Sequence, residues 1–243
     1  MARIRFAVRL LSAFAFGAFS FAVAASAAAP KFEAAKMIIE YNSSAQDIGV
    51  QFFLDAEEWQ SIKILDPRGE QIFAAQATDK LLEQGGGTEL FLESVEPEIA
   101  ELSFEEFFAR FPEGQYKFIG RLADGSKMTS KVSFTDDVPA GPVVINPPQP
   151  GGGNCPQGVT IPAVIGWEPV TESIEGEAIE IVGYEVIVEH EDQVFDVHLA
   201  GDATQLTVPS EFLTPATDYV FEVLAIESGG NQTITEGCFT TGN

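Results

Sequence analysis

The chain has 243 residues, 45% of them hydrophobic, and sets 37 aspartates and glutamates against 13 lysines and arginines, a formal net charge of −24. No basic stripe interrupts this charge, so nucleic acid and anionic membrane surfaces are excluded as partners. Apolar residues recur in strand-like runs, which excludes disorder as the reason for the charge, and the length allows one or two domains.

Arg3, Arg5 and Arg9 open the chain, an apolar stretch covers residues 10–24, and Ala25-Ser26-Ala27 closes it with small residues. This is the pattern of a secretory signal peptide over residues 1–27, cleaved after Ala27, and it predicts a secreted or periplasmic product. A membrane anchor is the alternative, since no charge occurs between Arg9 and Lys31, a span just long enough to cross. The alanine-rich composition and the cleavage site favour the leader, and no membrane span is expected once it is removed. Cys155 and Cys238 are the only cysteines. In an exported chain they read as one disulfide, and without a CxxC motif neither zinc nor thiol chemistry has support.

A first module is expected over residues 28–137. Val50, Phe52 and Leu54 share one strand face, Ile62 and Ile64 another, and Asp66-Pro67-Arg68-Gly69 has turn chemistry. That turn reads RGE, so no integrin motif is present. One helix interrupts the β pattern: Phe104, Phe107, Phe108 and Phe111 fall at helical spacing. Ser103 and Glu106 form a capping box, and Pro112 and Gly114 end the helix. Such an aromatic stripe packs on a sheet, as a lid on one end of a sandwich. Residues 114–134 predict a hairpin around Asp124-Gly125, with an odd-length turn. Leu122 should then oppose Met128, Phe118 oppose Val132 and Tyr116 oppose Phe134.

Proline and glycine dominate residues 136–154, at a density that neither a helix nor a central strand tolerates. The segment divides into a joint over 138–142, a proline-flanked edge strand over 142–147 and a loop over 151–154. A second module then covers 142–243. In it Leu213, Pro215, Thr217 and Tyr219 form an L-x-P-x-T-x-Y pattern, after which Phe221, Val223 and Ala225 alternate. Upstream, Trp167 sits in VIGWEP, and residues 182–189 read VGYEVIVE. In order and spacing these stretches resemble the corner, the tryptophan-bearing second strand and the third strand of fibronectin type III domains. The resemblance implies a sandwich with Trp167 and Tyr219 buried and the tyrosine hydroxyl tied to backbone near Leu213 and Pro215. It also puts Cys155 before the second strand and Cys238 late in the last, at one pole. The first module is only loosely similar to exported bacterial β-sandwiches. The expected fold class is all-β: two β-sandwich modules in tandem, the first with one short helix, the second fibronectin type III-like.

His190 and His198 are the only histidines. A hairpin pairing Tyr184, Val186 and Val188 with Leu199, Val197 and Phe195 sets His190 opposite Gln193 and His198 opposite Glu185. The imidazoles then project from opposite faces and cannot share a metal ion. No GxSxG elbow occurs, and Gly85-Gly86-Gly87 is followed by Thr-Glu rather than Lys. The acid-rich stretch 168–180 and Asp136-Asp137 lack the ligand spacing of a calcium loop. Carboxylate pairs are unavoidable among so many acids and do not point to glycoside hydrolysis. No catalytic, cofactor-binding or metal-binding residue is therefore predicted.

The sequons Asn42-Ser-Ser44 and Asn231-Gln-Thr233 predict exposed loops. Loops at one pole of a sandwich are its usual contact surface. Here they are 168–180, with Glu172, Glu175 and Glu177, and 228–232, with Gly229, Gly230 and Asn231. The expected function is non-catalytic binding or scaffolding of a protein or polysaccharide partner. One alternative is a carbohydrate-binding or spacer module accessory to secreted polysaccharide-active enzymes, for which Trp59 is the one tryptophan left as a platform. The other is an enzyme in the first module.

Overall fold

A computed structural model describes residues 31–150 and 153–243. The leader expected over residues 1–27 and Gly151 and Gly152 of the glycine loop lie outside the described residues. The first module runs β1 (Ala34–Asn42), β2 (Asp47–Trp59), β3 (Ser61–Leu65), β4 (Gln71–Gln76), α1 (Asp79–Gln84), β5 (Gly87–Glu93), α2 (Phe104–Arg110), β6 (Gly114–Arg121) and β7 (Lys127–Phe134). The second runs β8 (Val144–Asn146), β9 (Ala163–Trp167), β10 (Ile181–His190), β11 (Gln193–Ala200), β12 (Gln205–Val208), β13 (Asp218–Glu227) and β14 (Gln232–Thr240).

Alternation makes the first sandwich. Ile48, Val50, Phe52 and Leu54 turn one face of β2 inward, and Met37, Ile39 and Tyr41 do the same on β1. They pack on Ile62, Ile64, Tyr116, Phe118, Met128 and Phe134 from the facing sheet, ordered β4-β3-β6-β7. The chain changes sheets at Trp59, whose indole lies over Gly87 and whose carbonyl lies against Gly86. A Cβ on Gly86, at φ +111°, would run into the Trp59 carbonyl, so the corner needs glycine there. The capping box of α2 is formed, Phe107 is buried, and Phe104 meets Tyr41 edge-on at 5.3 Å. The helix covers one end of this core.

Two expectations change. The β6–β7 hairpin pairs Tyr116 with Val132, Phe118 with Ser130 and Gly120 with Met128, two residues away from the predicted register. The faces are preserved, but Ala123, Asp124 and Gly125 form a three-residue turn, and Gly120 leaves the space that the Met128 side chain fills. A second helix, α1, is also present. It has no buried residue, and Leu81 and Leu82 are 51% and 39% exposed, so no apolar stripe announces it.

In the second module a three-stranded sheet, β12-β9-β8, faces the run β11-β10-β13-β14. Trp167, Tyr184, Val186, Val188, Phe221, Val223 and Phe239 fill the space between them. The β10–β11 register is the predicted one, with His190 opposite Gln193 and Glu185 opposite His198. Bulky residues pair along the whole hairpin there, so a slip would expose them.

The modules do not hang on a free linker. β14 pairs in parallel with β1 through Glu40↔Gln232, Tyr41↔Thr233 and Asn42↔Ile234. One seven-stranded sheet, β11-β10-β13-β14-β1-β2-β5, thus passes through both sandwiches. Val138 in the joint is fully buried and belongs to the first core.

Candidate functional site

Both loops singled out as contact surfaces lie where the two modules meet. Asn231 is 2% exposed. Its Oδ1 accepts from the Ile39 amide at 2.9 Å, and its Nδ2 donates to the Asp137 carbonyl at 2.9 Å and the Thr135 carbonyl at 3.2 Å. Glu227 fixes the turn by accepting from the amides of Gly229 and Asn231 at 2.6 and 2.9 Å. Gly230 stands at φ +100°, a backbone conformation that favours glycine. Nearby, the buried Thr233 hydroxyl donates to the Pro139 carbonyl at 2.6 Å. The sequon at Asn231 is therefore inside the junction, and the expectation of an exposed loop there is corrected. Asn42, in the other sequon, ends β1 and donates to Glu236 at 2.7 Å.

The 168–180 loop docks too. The Glu172 carbonyl accepts from Ala140 and the Ile174 amide donates to Val138, both at 2.9 Å, and Ile174 packs on the first core. The side chains of Glu172, Glu175 and Glu177 are exposed to solvent, as are those of Glu168 and Glu180 at the two ends of the loop. Trp59 is 6% exposed within the first core, so it offers no platform for a sugar, and that expectation is also corrected.

At the opposite pole the Cys155 and Cys238 sulfurs are bonded at 2.02 Å. Gln149 holds both the amide and the carbonyl of Cys238. A groove of about 430 Å³ opens beside the bridge, lined among others by Gln157, Glu189, His190, Asp218 and Thr240. His190 Nδ1 is 3.0 Å from the Asp218 carbonyl, and its ring lies 5.2 Å from that of Tyr219. The Thr240 hydroxyl bonds to Asp218 and Gln157 instead of to the imidazole, so His190 activates no hydroxyl there.

Charge accumulates on the outward face of the shared sheet. Burial raises the carboxyl of Glu40, with Glu93 adding to it and the Gln232 amide opposing it. Glu96 is pushed up to about 7 by burial and then by Glu40, Glu93 and Asp47. Glu185 is also pushed up to about 7 by burial, against the opposing charge of His198 at 3.3 Å. Oxygens of Glu40, Glu93 and Glu96 lie within 4.8 Å of one another, as do ligand atoms of Glu185, Asp196 and His198. Nothing else in either group points to an ion, and neither is assigned as a metal site.

Tyr219 is 2% exposed, and its hydroxyl accepts from the Thr214 amide at 2.8 Å and faces the Phe212 carbonyl at 3.4 Å. Leu213 is buried against it, and Pro215 is exposed at the turn. Trp167 is 1% exposed and packs on Tyr184 at 5.2 Å. Three strands, β8, β9 and β12, face four, β11, β10, β13 and β14, around this tied tyrosine.

The second module has a fibronectin type III-like fold. No family model matches the chain, and no curated protein does. Among solved structures it is similar to the FN1–FN3 domains of chicken CNTN1, a contactin, at 12% identity and a TM-score of 0.36, over 88% of this chain. It spans 65% of that segment's length. It is also similar to a two-domain fibronectin type III segment of chicken tenascin, at 12% identity and a TM-score of 0.30, over 87% of this chain and 100% of that one. Strand order and the tyrosine corner, not these likenesses, define the module. No helix among the described residues is long and apolar enough to cross a membrane.

Proposed function

We propose that the protein is an exported, non-catalytic binding or scaffold protein of the cell envelope or extracellular space, in which a fibronectin type III-like module is fixed to a first β-sandwich as one body. The observation that carries this reading is the junction. Loop 168–180 gives its backbone to the joint at Val138 and Ala140, and loop 228–232 gives the Asn231 side chain to Ile39, Thr135 and Asp137 of the first module and its edge. A protein that invests its most adaptable loops in holding two sandwiches in line is organised for spacing and presentation. The side chains of Glu172, Glu175 and Glu177 remain outside and form the proposed contact for a protein or polysaccharide partner.

The test immobilises protein beginning at Ala28, the N-terminus expected after export, and challenges it with envelope extract and with acidic and neutral polysaccharides. Retention that falls when Glu172, Glu175 and Glu177 become glutamine supports the reading. Retention unchanged in the triple variant moves the contact elsewhere, and turnover of any challenged polymer overturns the non-catalytic reading.

A further inference from the structure

β5 ends the shared sheet on the first-module side, two strands beyond the seam where β1 meets β14. It pairs with β2 alone, through Gln51↔Glu93, Phe52↔Leu92, Phe53↔Phe91, Leu54↔Leu90 and Asp55↔Glu89. The Ser94 amide donates to the Val50 carbonyl at 3.0 Å, and antiparallel bonding alternates along the strand from there. Leu92 and Leu90 therefore turn their amides and carbonyls to β2, while Glu89, Phe91 and Glu93 turn theirs to the open edge. Among the described residues no backbone group bonds to that edge. Phe52 and Leu54 face the core, so Glu89, Phe91 and Glu93 stand on the outer face of the sheet, beside Asp55, Phe53 and Gln51. Their order is acid, aromatic, acid, and Phe91 is 58% exposed.

The whole side of the sandwich is open there. β7 lies against β1, so the remaining edges of the two facing sheets, β4 and β5, fall on the same side. The helix that joins them, α1, has no buried residue. Phe73, Leu90 and Leu92 reach the core from this side but stay half-buried. All five exposed large apolar side chains among the described residues of the first module, Ile72, Leu81, Leu82, Phe91 and Val95, fall in this stretch. An edge that must stay unpaired is blunted by charge, especially lysine, along its length. β5 has no lysine and puts an aromatic at the middle of its edge.

We propose that β5 accepts an added strand from another protein, an extended segment that alternates basic and apolar side chains. The added backbone bonds to the free amides and carbonyls of Glu89, Phe91 and Glu93. On the outer face its side chains stand beside the row of acid, aromatic and acid, so the complementary order is basic, aromatic, basic, with opposite charges paired across the strands. The residues between them turn to the core side, next to Leu90 and Leu92, and are apolar. A second copy is the poorer occupant. Pairing β5 with itself in antiparallel fashion about Phe91 sets Glu89 against Glu93 twice, between chains that each carry a formal charge of −24. β11, the edge at the opposite end of the sheet, presents Val194, Asp196 and His198, and one acid next to an imidazole offers no such complement. None of Glu172, Glu175 and Glu177 takes part, so this contact stands or falls separately from the loop contact proposed above.

The test titrates protein beginning at Ala28 with a synthetic peptide of lysine, valine, phenylalanine, valine and lysine, blocked at both ends, and follows amide exchange by NMR. At saturation the Glu89, Phe91 and Glu93 amides should exchange about tenfold more slowly, and those of Val194, Asp196 and His198 should not change. Replacing both peptide lysines with glutamates should weaken binding about tenfold, the effect of two cross-strand charge pairs. Glu89→Lys with Glu93→Lys should reverse that preference. Phe91→Ser should abolish the slowing at the edge, and serves if the charge-reversed variant fails to fold; all three side chains are exposed. Edge amides that the peptide does not slow, slowing at β11 instead, or equal affinity for the two peptides overturns the proposal. So does edge protection that grows with protein concentration when no peptide is present, which assigns β5 to a second copy.

Discussion

Replacing Asn231 with alanine tests how much one side chain contributes to holding the two modules together. The substitution leaves the Ile39 amide without its acceptor and removes the donor that serves the Asp137 and Thr135 carbonyls. These groups lie in a junction where Ile39 is 0% exposed and Asn231 2%, so water does not simply take over. Stranding a buried polar group costs about 1–3 kcal/mol. The amide is the unambiguous loss; the two carbonyls share one donor and one of them has the longer contact. A total of about 3 kcal/mol is expected. Asn231→Asp keeps the acceptor for Ile39 but turns an oxygen toward two carbonyls, and should cost at least as much as alanine. The assay is urea unfolding of residues 28–243 with the disulfide intact, followed by fluorescence of Trp59 and Trp167, one in each core. The junction reading expects the first-module signal to move to lower urea and the two transitions to separate. A loss below about 0.5 kcal/mol for Asn231→Ala, within the range of an ordinary surface change, refutes the reasoning.

Tyr219→Phe keeps the ring against Phe239 but leaves the Thr214 amide unpaired, at an expected cost of about 1–3 kcal/mol read as a shift in the second-module urea midpoint. Cys155→Ala with Cys238→Ala opens a bridge of sequence separation 83, for which chain entropy predicts a loss of about 4.5 kcal/mol; oxidised and mutant unfolding curves give the value. The Glu185 carboxyl should titrate near pH 7 by carbon-detected NMR, and His198→Gln should move its midpoint up, because the imidazolium opposes the effect of burial. Since that pKa is raised on folding, the stability it contributes is complete below about pH 4.5 and lost as pH rises through about 7.

The parts of the fold written in local pattern were legible from the residues. Alternation exposed the inward faces of β2, β10 and β13, and the phenylalanine spacing with its capping box exposed α2. Register was legible where bulky residues fill both strands, as in β10–β11, and illegible where Gly120 fills a core position with no side chain. The role of the loops was hidden for a different reason. A Gly-Gly-Asn turn has the chemistry of an exposed tip, and the partners that bury Asn231 lie 192, 96 and 94 positions away in sequence. No window of sequence contains them. Trp59 misled in a related way, because its indole is covered by Gly87 at the start of β5, 28 positions away in sequence.

Because the first strand of the described chain and the last pair side by side and point the same way, the molecule has a mechanical character. Tension applied through Lys31 and Asn243 draws β1 and β14 past each other along their length. The hydrogen bonds of the seam then share the load in shear instead of parting one by one. Resistance to pulling is governed by the rate of that rupture rather than by equilibrium stability. A tether built on this plan holds briefly against force even where its resting stability is modest.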